Sequence, residues 1–150
     1  MTNLLEYFAL AHTQLTRLNA DLSEIVSQDN HFNAKVELKL TPLEMKHDGE
    51  LPQYQVSARL LCRGQRDSEA SDEPLFTLEF VLQAVYRQFR GEPVDFETFT
   101  RHHASLTRQL YPLIQHQLQP VLKQFGLDQV KLPHDLVSSG GQEQSTRQVH

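Results

Sequence analysis

Three stretches of the chain alternate between apolar and polar residues, and this period of two constrains the fold more than any other feature. They cover residues 34–40, 54–62 and 75–86. Such alternation is typical of strands with one face in the core and one in water. Pro42 is expected to end the first strand, and Asp48-Gly49 to form the tight turn that follows it. The pattern predicts antiparallel strands.

After Gly91 the apolar residues change to a helical spacing. The series that carries this change is Phe96, Phe99, His103, Leu106 and Leu110. It predicts an amphipathic helix. Pro112 is expected either to kink this helix or to begin a second one over residues 113–125, in which Pro120 predicts a bend. Gly126 is expected to end the second helix.

The two ends of the chain are less regular. Apolar residues between Leu4 and Leu15 have helical spacing, whereas Leu18, Ala20 and Leu22 alternate with polar residues. This predicts a short helix or extended lead-in before a first strand near residues 14–22. Residues 63–74 read as a charged, solvated loop. Residues 138–150 have almost nothing to bury and are expected to be disordered.

Strands followed by helices predict an α+β fold, with a four-stranded antiparallel sheet and two C-terminal helices on one face. The length of 150 residues fits one domain, expected over residues 1–137. The net charge of −5 argues against a nucleic-acid binder and against attachment to an anionic membrane. The one cysteine, Cys62, excludes an internal disulfide. Without a basic n-region or a membrane-length apolar run, the chain is expected in the cytoplasm.

No pattern in the sequence indicates catalysis or a cofactor. His102 and His103 are adjacent, so on a helix they point in different directions and cannot share a metal ion. Cys62 has no motif that would lower its pKa, and Gly-x-Ser-x-Gly and phosphate-loop patterns are absent. The carboxylates of residues 69–73 read as a solvated charge run, because acid–base chemistry needs rigid placement. We therefore expect no enzyme and no metal site.

The order of the segments resembles that of the SecB protein-export chaperones. The strands 34–40, 54–60 and 75–80 are followed by Leu110-Tyr111-Pro112, which is similar to the family's leu-phe-pro, and then by an exit segment at 126–133. The resemblance covers roughly residues 14–136. Residues 107–109 replace the family's cys-pro-asn, and Asp128 replaces a proline of the exit segment. These departures indicate a divergent member and put contact with the export motor in doubt.

The resemblance implies a chaperone without ATPase activity, assembled as a homotetramer that is a dimer of dimers. Such a chaperone holds unfolded preproteins in apolar grooves and passes them to the SecA translocation motor. The family contacts that motor through acidic residues on the exposed sheet surface. Glu79 matches one such position directly, and Asp21 and Glu24 lie near the others.

A client-binding groove requires apolar residues that stay accessible beside polar ones. The candidates are Phe80, Leu82, Tyr86, Phe89, Leu110, Tyr111 and Leu113. The alternative for each is a place in the core or in a tetramer interface.

Three hypotheses of function remain open from the sequence. The first is a general chaperone that holds unfolded polypeptides. The second is an interaction or regulatory module on the same fold, dedicated to one partner such as an antitoxin. The third is a small-ligand-binding or enzymatic α+β domain, which requires a pocket with convergent polar groups.

Overall fold

An antiparallel sheet with helices on one face makes up the computed structural model, which describes residues 3–23, 32–66, 74–127 and 145–149. The strands are β1 (Phe8–Leu22), β2 (Phe32–Glu44), β3 (Gln53–Arg66), β4 (Phe76–Gln88) and β5 (Ser145–Val149), and their order in the sheet is β1-β4-β3-β2-β5. The helices are α1 (Phe96–His102) and α2 (Thr107–Gln124). Two short 3-10 turns complete the fold, at Leu4–Glu6 and at His103–Leu106. The predicted α+β fold is confirmed.

The alternation of β2, β3 and β4 places their even-numbered residues on the inner face, against the helices. Val36, Leu60 and Phe80, one from each strand, are all at most 1% exposed. On this face Gly64 lies opposite Phe76, and a Cβ at Gly64 would collide with the Phe76 ring. This close approach explains a glycine inside a strand, where glycine otherwise weakens pairing.

β2 and β3 run further than the sequence predicts. β2 continues through Pro42, which pairs with Val56, and ends at Glu44. Proline is tolerated there because, beyond Leu38, the edge of β2 that faces away from β3 has no partner strand in the described part of the chain. β3 extends to Arg66, so the predicted loop begins later; residues 67–73 lie outside the described residues.

β1 starts at Phe8, well before the predicted residue 14, and its register with β4 shifts twice. The shifts lie between Leu10 and His12 and between Leu15 and Arg17. Each adds one residue to β1, so residues three apart lie on the same face at these points. The helical spacing before residue 15 therefore spans the 3-10 turn at Leu4–Glu6 and the start of β1, and it does not correspond to one helix.

The helical layer begins with a capped α1 and an aromatic cluster. The Thr98 backbone N–H donates to Asp95 Oδ1 at 2.8 Å and forms the N-cap. Hydrogen bonds from the Thr98 side chain and, second, from its backbone hold the pKa of the Asp95 carboxyl below its usual range. Phe99 packs against Phe8 of β1 and Tyr54 of β3, with ring centroids 5.1 and 4.7 Å apart. α1 therefore fastens one end of the sheet.

α2 begins at Thr107 and includes both prolines, so Pro112 does not open the second helix as one alternative proposed. The break between the helices is the 3-10 turn at His103–Leu106. Gly126 ends α2 as predicted, with φ of +72° and its N–H donating to the Lys123 carbonyl at 3.0 Å.

β5 is a fifth strand that the sequence did not predict, since residues 138–150 were expected to be disordered. It pairs antiparallel with the first half of β2, over Ala34–Leu38. An edge strand supplies unpaired backbone groups that even a polar segment can bond. Residues 128–144 lie outside the described residues.

Candidate functional site

The largest uncovered apolar feature of the inner face lies on β1. Leu15 and Leu18 are 42% and 41% exposed, although both point to the side of the sheet that carries the helices. Their partners on β4, Leu82 and Phe80, are each 1% exposed. The helical layer therefore covers β4 but leaves the middle of β1 open.

Three further apolar residues continue this surface along β1. Leu10, Ala20 and Leu22 pair with inner-face residues of β4 and are half-buried against the core. We call the set Leu10, Leu15, Leu18, Ala20 and Leu22 the β1 strip. At about 3.3 Å per residue, it extends over roughly 40 Å. A surface of this shape matches an extended polypeptide better than a compact ligand.

β1 is also an edge strand. It stands first in the sheet order, and beyond it no strand of the described residues follows. An edge presents backbone N–H and C=O groups that can pair with another chain. Its two bulges bend the edge and limit long, regular pairing. Apolar contacts and short stretches of backbone pairing are thus both available at the β1 strip.

Most of the residues predicted for a client groove lie in the core instead of on a surface. Phe80, Leu82, Tyr86, Leu110 and Tyr111 are all at most 2% exposed. These five residues therefore belong to the core, which was the alternative to a groove. The Tyr86 hydroxyl donates to Gln109 Oε1 at 3.0 Å, and burial raises the pKa of Tyr86.

The other two groove candidates reach the surface. Leu113 is half-buried on α2. Phe89 is 53% exposed just after β4, where the Arg90 guanidinium lies 5.7 Å from its ring centroid and 5.4 Å from that of Tyr7. Phe89 is the most exposed large apolar residue of the described chain, but it stands apart from the β1 strip at the α1 end of the sheet.

Of the three acidic residues predicted to contact a motor, Asp21 and Glu79 lie on the outer face of the sheet. Asp21 is exposed there, and Glu24 lies outside the described residues. The Glu79 side chain is 14% exposed and takes 2.6 Å and 3.5 Å contacts from Arg59 and Arg17. The hydrogen bond from Arg59 is the main cause that lowers the pKa of Glu79, and Asn19 adds another bond at 3.3 Å.

The sequence missed Leu15 and Leu18, the two most exposed members of the strip. Leu18 was recognised as part of an alternating strand and Leu15 as part of a helical series. The bulge between them is what puts both on one face. A three-residue apolar step inside a strand pattern is the signal that could have identified them.

The described residues contain no group of three or more metal-ligating side chains and no helix long and apolar enough to cross a membrane. Cys62 is buried, which raises the pKa of its thiol to about 12 and leaves it unreactive. His103 is buried too, with Nδ1 2.5 Å from the Thr100 carbonyl oxygen.

Comparison with known proteins finds a similar solved structure but no matching family model or curated sequence. No protein-family model and no curated protein matches this chain. Among solved structures, the chain is similar to the Mycobacterium tuberculosis SecB-like chaperone in complex with a ChAD peptide from the HigA1 antitoxin. The TM-score is 0.64 at 15% identity, over 87% of this chain and 92% of that one. This likeness establishes the fold.

Proposed function

We propose that this chain, which has the SecB-like fold, is a chaperone that binds extended apolar segments of unfolded polypeptides along the β1 strip. The observation that carries the proposal is the exposure of Leu15 and Leu18 on the inner face, at 42% and 41%. In an isolated protomer such side chains cost solubility without adding to the core, unless they meet a ligand.

The energetics suit a binder that does not read sequence. Covering the exposed part of a leucine contributes about 1 kcal/mol, so useful affinity requires several contacts along a client segment. Backbone pairing at the β1 edge would add contacts that any sequence can make. Binding and release then need no nucleotide, which fits the lack of a phosphate-binding pattern in the sequence.

The finer parts of the proposal rest on the likeness of fold. They are that the clients are preproteins destined for export, that the chaperone passes them to the SecA motor, and that it works in the cytoplasm as a homotetramer, a dimer of dimers. Light scattering of the purified protein would measure the number of protomers.

A second candidate function is that of a chaperone dedicated to one partner protein. The SecB-like chaperone to which this chain is similar was solved with a peptide from an antitoxin. The same strip could hold one such peptide in place of many clients. A dedicated module should bind its partner tightly and fail on unrelated unfolded chains.

Fluorescence anisotropy with permanently unfolded, reduced and alkylated proteins tests the proposal. We expect saturable binding at low micromolar concentration to several unrelated unfolded chains and none to their native forms. Replacing Leu15 and Leu18 together by Ser should weaken binding about thirtyfold, since each loses about 1 kcal/mol of apolar contact.

Leu43 provides a matched control, because it is 45% exposed but lies on the outer face of β2. The Leu43→Ser variant should bind clients like the unchanged protein. The Phe89→Ser variant tests the remaining exposed groove candidate separately. If no unfolded chain binds to a folded protein, the general chaperone is refuted and the dedicated partner becomes the favoured function.

A further inference from the structure

The outer face of the sheet carries a positive charge that the chain as a whole does not. Over β1 to β4 this face holds six basic side chains and three acidic ones, in a protein with a net charge of −5. The basic residues are Arg17, Lys35, Lys39, Arg59, Arg63 and Arg87. The acidic residues are Asp21, Glu37 and Glu79. The sheet face and the rest of the molecule therefore differ in sign.

Five of the six cations form one patch, which we call the basic patch. The register puts Arg17, Arg59 and Lys39 in one row across the sheet, through Val81 of β4. Arg63 and Lys35 pair in a second row, four residues further along their strands. Neighbouring strands are about 4.8 Å apart, so these five side chains lie within one small area.

Only two carboxylates stand between these rows. Glu79 forms ion pairs with Arg59 and Arg17, and its side chain is 14% exposed, so its negative charge is compensated within the patch. Glu37 lies between Lys35 and Lys39 on β2 and pairs across with Leu61. Five cations thus face two carboxylates, and a further anion would find Lys35, Lys39 and Arg63 beside a half-buried leucine.

We infer that the basic patch docks an acidic segment of a partner polypeptide, at a surface separate from the β1 strip. The segment carries several Asp or Glu residues, with an apolar residue to cover Leu61. A flat, pleated surface of this kind accepts an extended chain. A nucleic acid carries a long, uniform negative charge, which the net charge of −5 of this protein opposes.

The test uses a fluorescein-labelled peptide of alternating glutamate and leucine, titrated with the whole protein at low salt. We expect saturable binding that weakens with added salt. Replacing Lys35, Lys39 and Arg63 by Gln should weaken this binding about tenfold. Each exposed ion pair between the patch and the peptide contributes at most about 1 kcal/mol. Glu79→Gln should tighten binding about threefold, because it frees Arg59 and Arg17.

A triple variant of equal charge is the control. Lys46, Arg108 and Lys123 are exposed outside this face, and their replacement by Gln should leave peptide binding within about twofold. Equal weakening by both triple variants would overturn the inference, because it would reflect net charge alone. A labelled polyuridine oligonucleotide is titrated in parallel, and its binding without binding of the peptide would also overturn the inference in favour of nucleic acid.

The chain has an acidic stretch of its own at residues 67–73, between β3 and β4. If the peptide binds only after Asp67, Glu69, Asp72 and Glu73 are changed to amides, the occupant is this stretch and the inference fails. Binding of unfolded clients is measured in the same variants. Its persistence in the Lys35, Lys39, Arg63 variant would show that the patch and the strip act separately.

Discussion

β1 and β4 are neighbours paired over their whole length, yet the inner face of one is a surface and that of the other is core. Phe80 on β4 is 1% exposed, whereas its partner Leu18 on β1 is 41% exposed. Both strands present apolar side chains to the same side of the sheet. The alternation of apolar and polar residues shows which residues share a face of the sheet. Whether that face is buried depends on where the helices lie.

The two strands also differ in regularity. β4 alternates without interruption between Phe76 and Gln88, whereas β1 carries two bulges. A regular strand suits a central position, where both edges are paired. Bulges are common on edge strands, because they discourage uncontrolled pairing with other chains. β1 thus has features of a binding edge, and β4 those of a structural strand.

The largest expected effect is a difference in unfolding free energy between substitutions on β4 and on β1. Phe80→Ala should lower the free energy of unfolding by about 3–5 kcal/mol, because it opens a cavity in the core. Leu18→Ala should cost about 1 kcal/mol or less, because Leu18 is already partly in water. Urea denaturation measures both. Similar losses for the two variants would show that the β1 strip is covered in solution, for example by a second protomer.

A deletion tests the role of the bulge between Leu15 and Arg17. Removing Thr16 should abolish this bulge and leave the one between Leu10 and His12, while the inner residues stay on the inner face, at a cost of about 1 kcal/mol. Removing Asn19 from a regular part should turn Leu22 outward and Asp21 inward, at about 2–3 kcal/mol. The midpoints of chemical denaturation measure both. Equal tolerance of the two deletions would contradict the register.

The smallest effect concerns the outer face, where the two strands meet through Glu79. Because folding lowers the pKa of this carboxyl, its ionised form stabilises the protein above the unfolded pKa of 4.5, and this is lost as the pH falls through the folded pKa. The Glu79→Gln variant should therefore be less stable at neutral pH, and the gap should close in acid. Thermal denaturation against pH measures it.

The exposed pair of Glu97 and Arg101 on α1 is the control for this pH dependence. Its side chains are 82% and 63% exposed, so solvent screens their contact. Glu97→Gln should change stability less than Glu79→Gln at neutral pH. A larger change for Glu97→Gln would contradict the assignment of the Glu79 contacts as the stronger ones.

Several elements could be predicted because the signal for them is local. The alternation of β2, β3 and β4 and the glycine that ends α2 depend on residues close in sequence, and the structure confirms them. The start of β1 could not be predicted, because a bulge has meaning only against a partner strand. β5 could not be predicted either, since its sequence is mostly polar and its pairing depends on the edge of β2, which is distant in sequence.

The candidate site shows the same division. The sequence supplied the apolar residues of β4 and α2, but five of the seven groove candidates are core. Glu79 was selected as an acidic contact, and the tertiary structure encloses it between two arginines that are distant in sequence. Neither burial nor charge compensation is a property of a residue and its sequence neighbours alone.

The sequence by itself therefore determined the fold class, the face of each regular strand and the absence of a recognisable catalytic motif. These follow from side-chain chemistry and the period of the backbone, which are local. The tertiary structure decided that the face of β4 is covered and that of β1 is open, and that the outer face is basic. Those features arise because folding brings distant segments together, and the helical layer is too narrow to cover every strand.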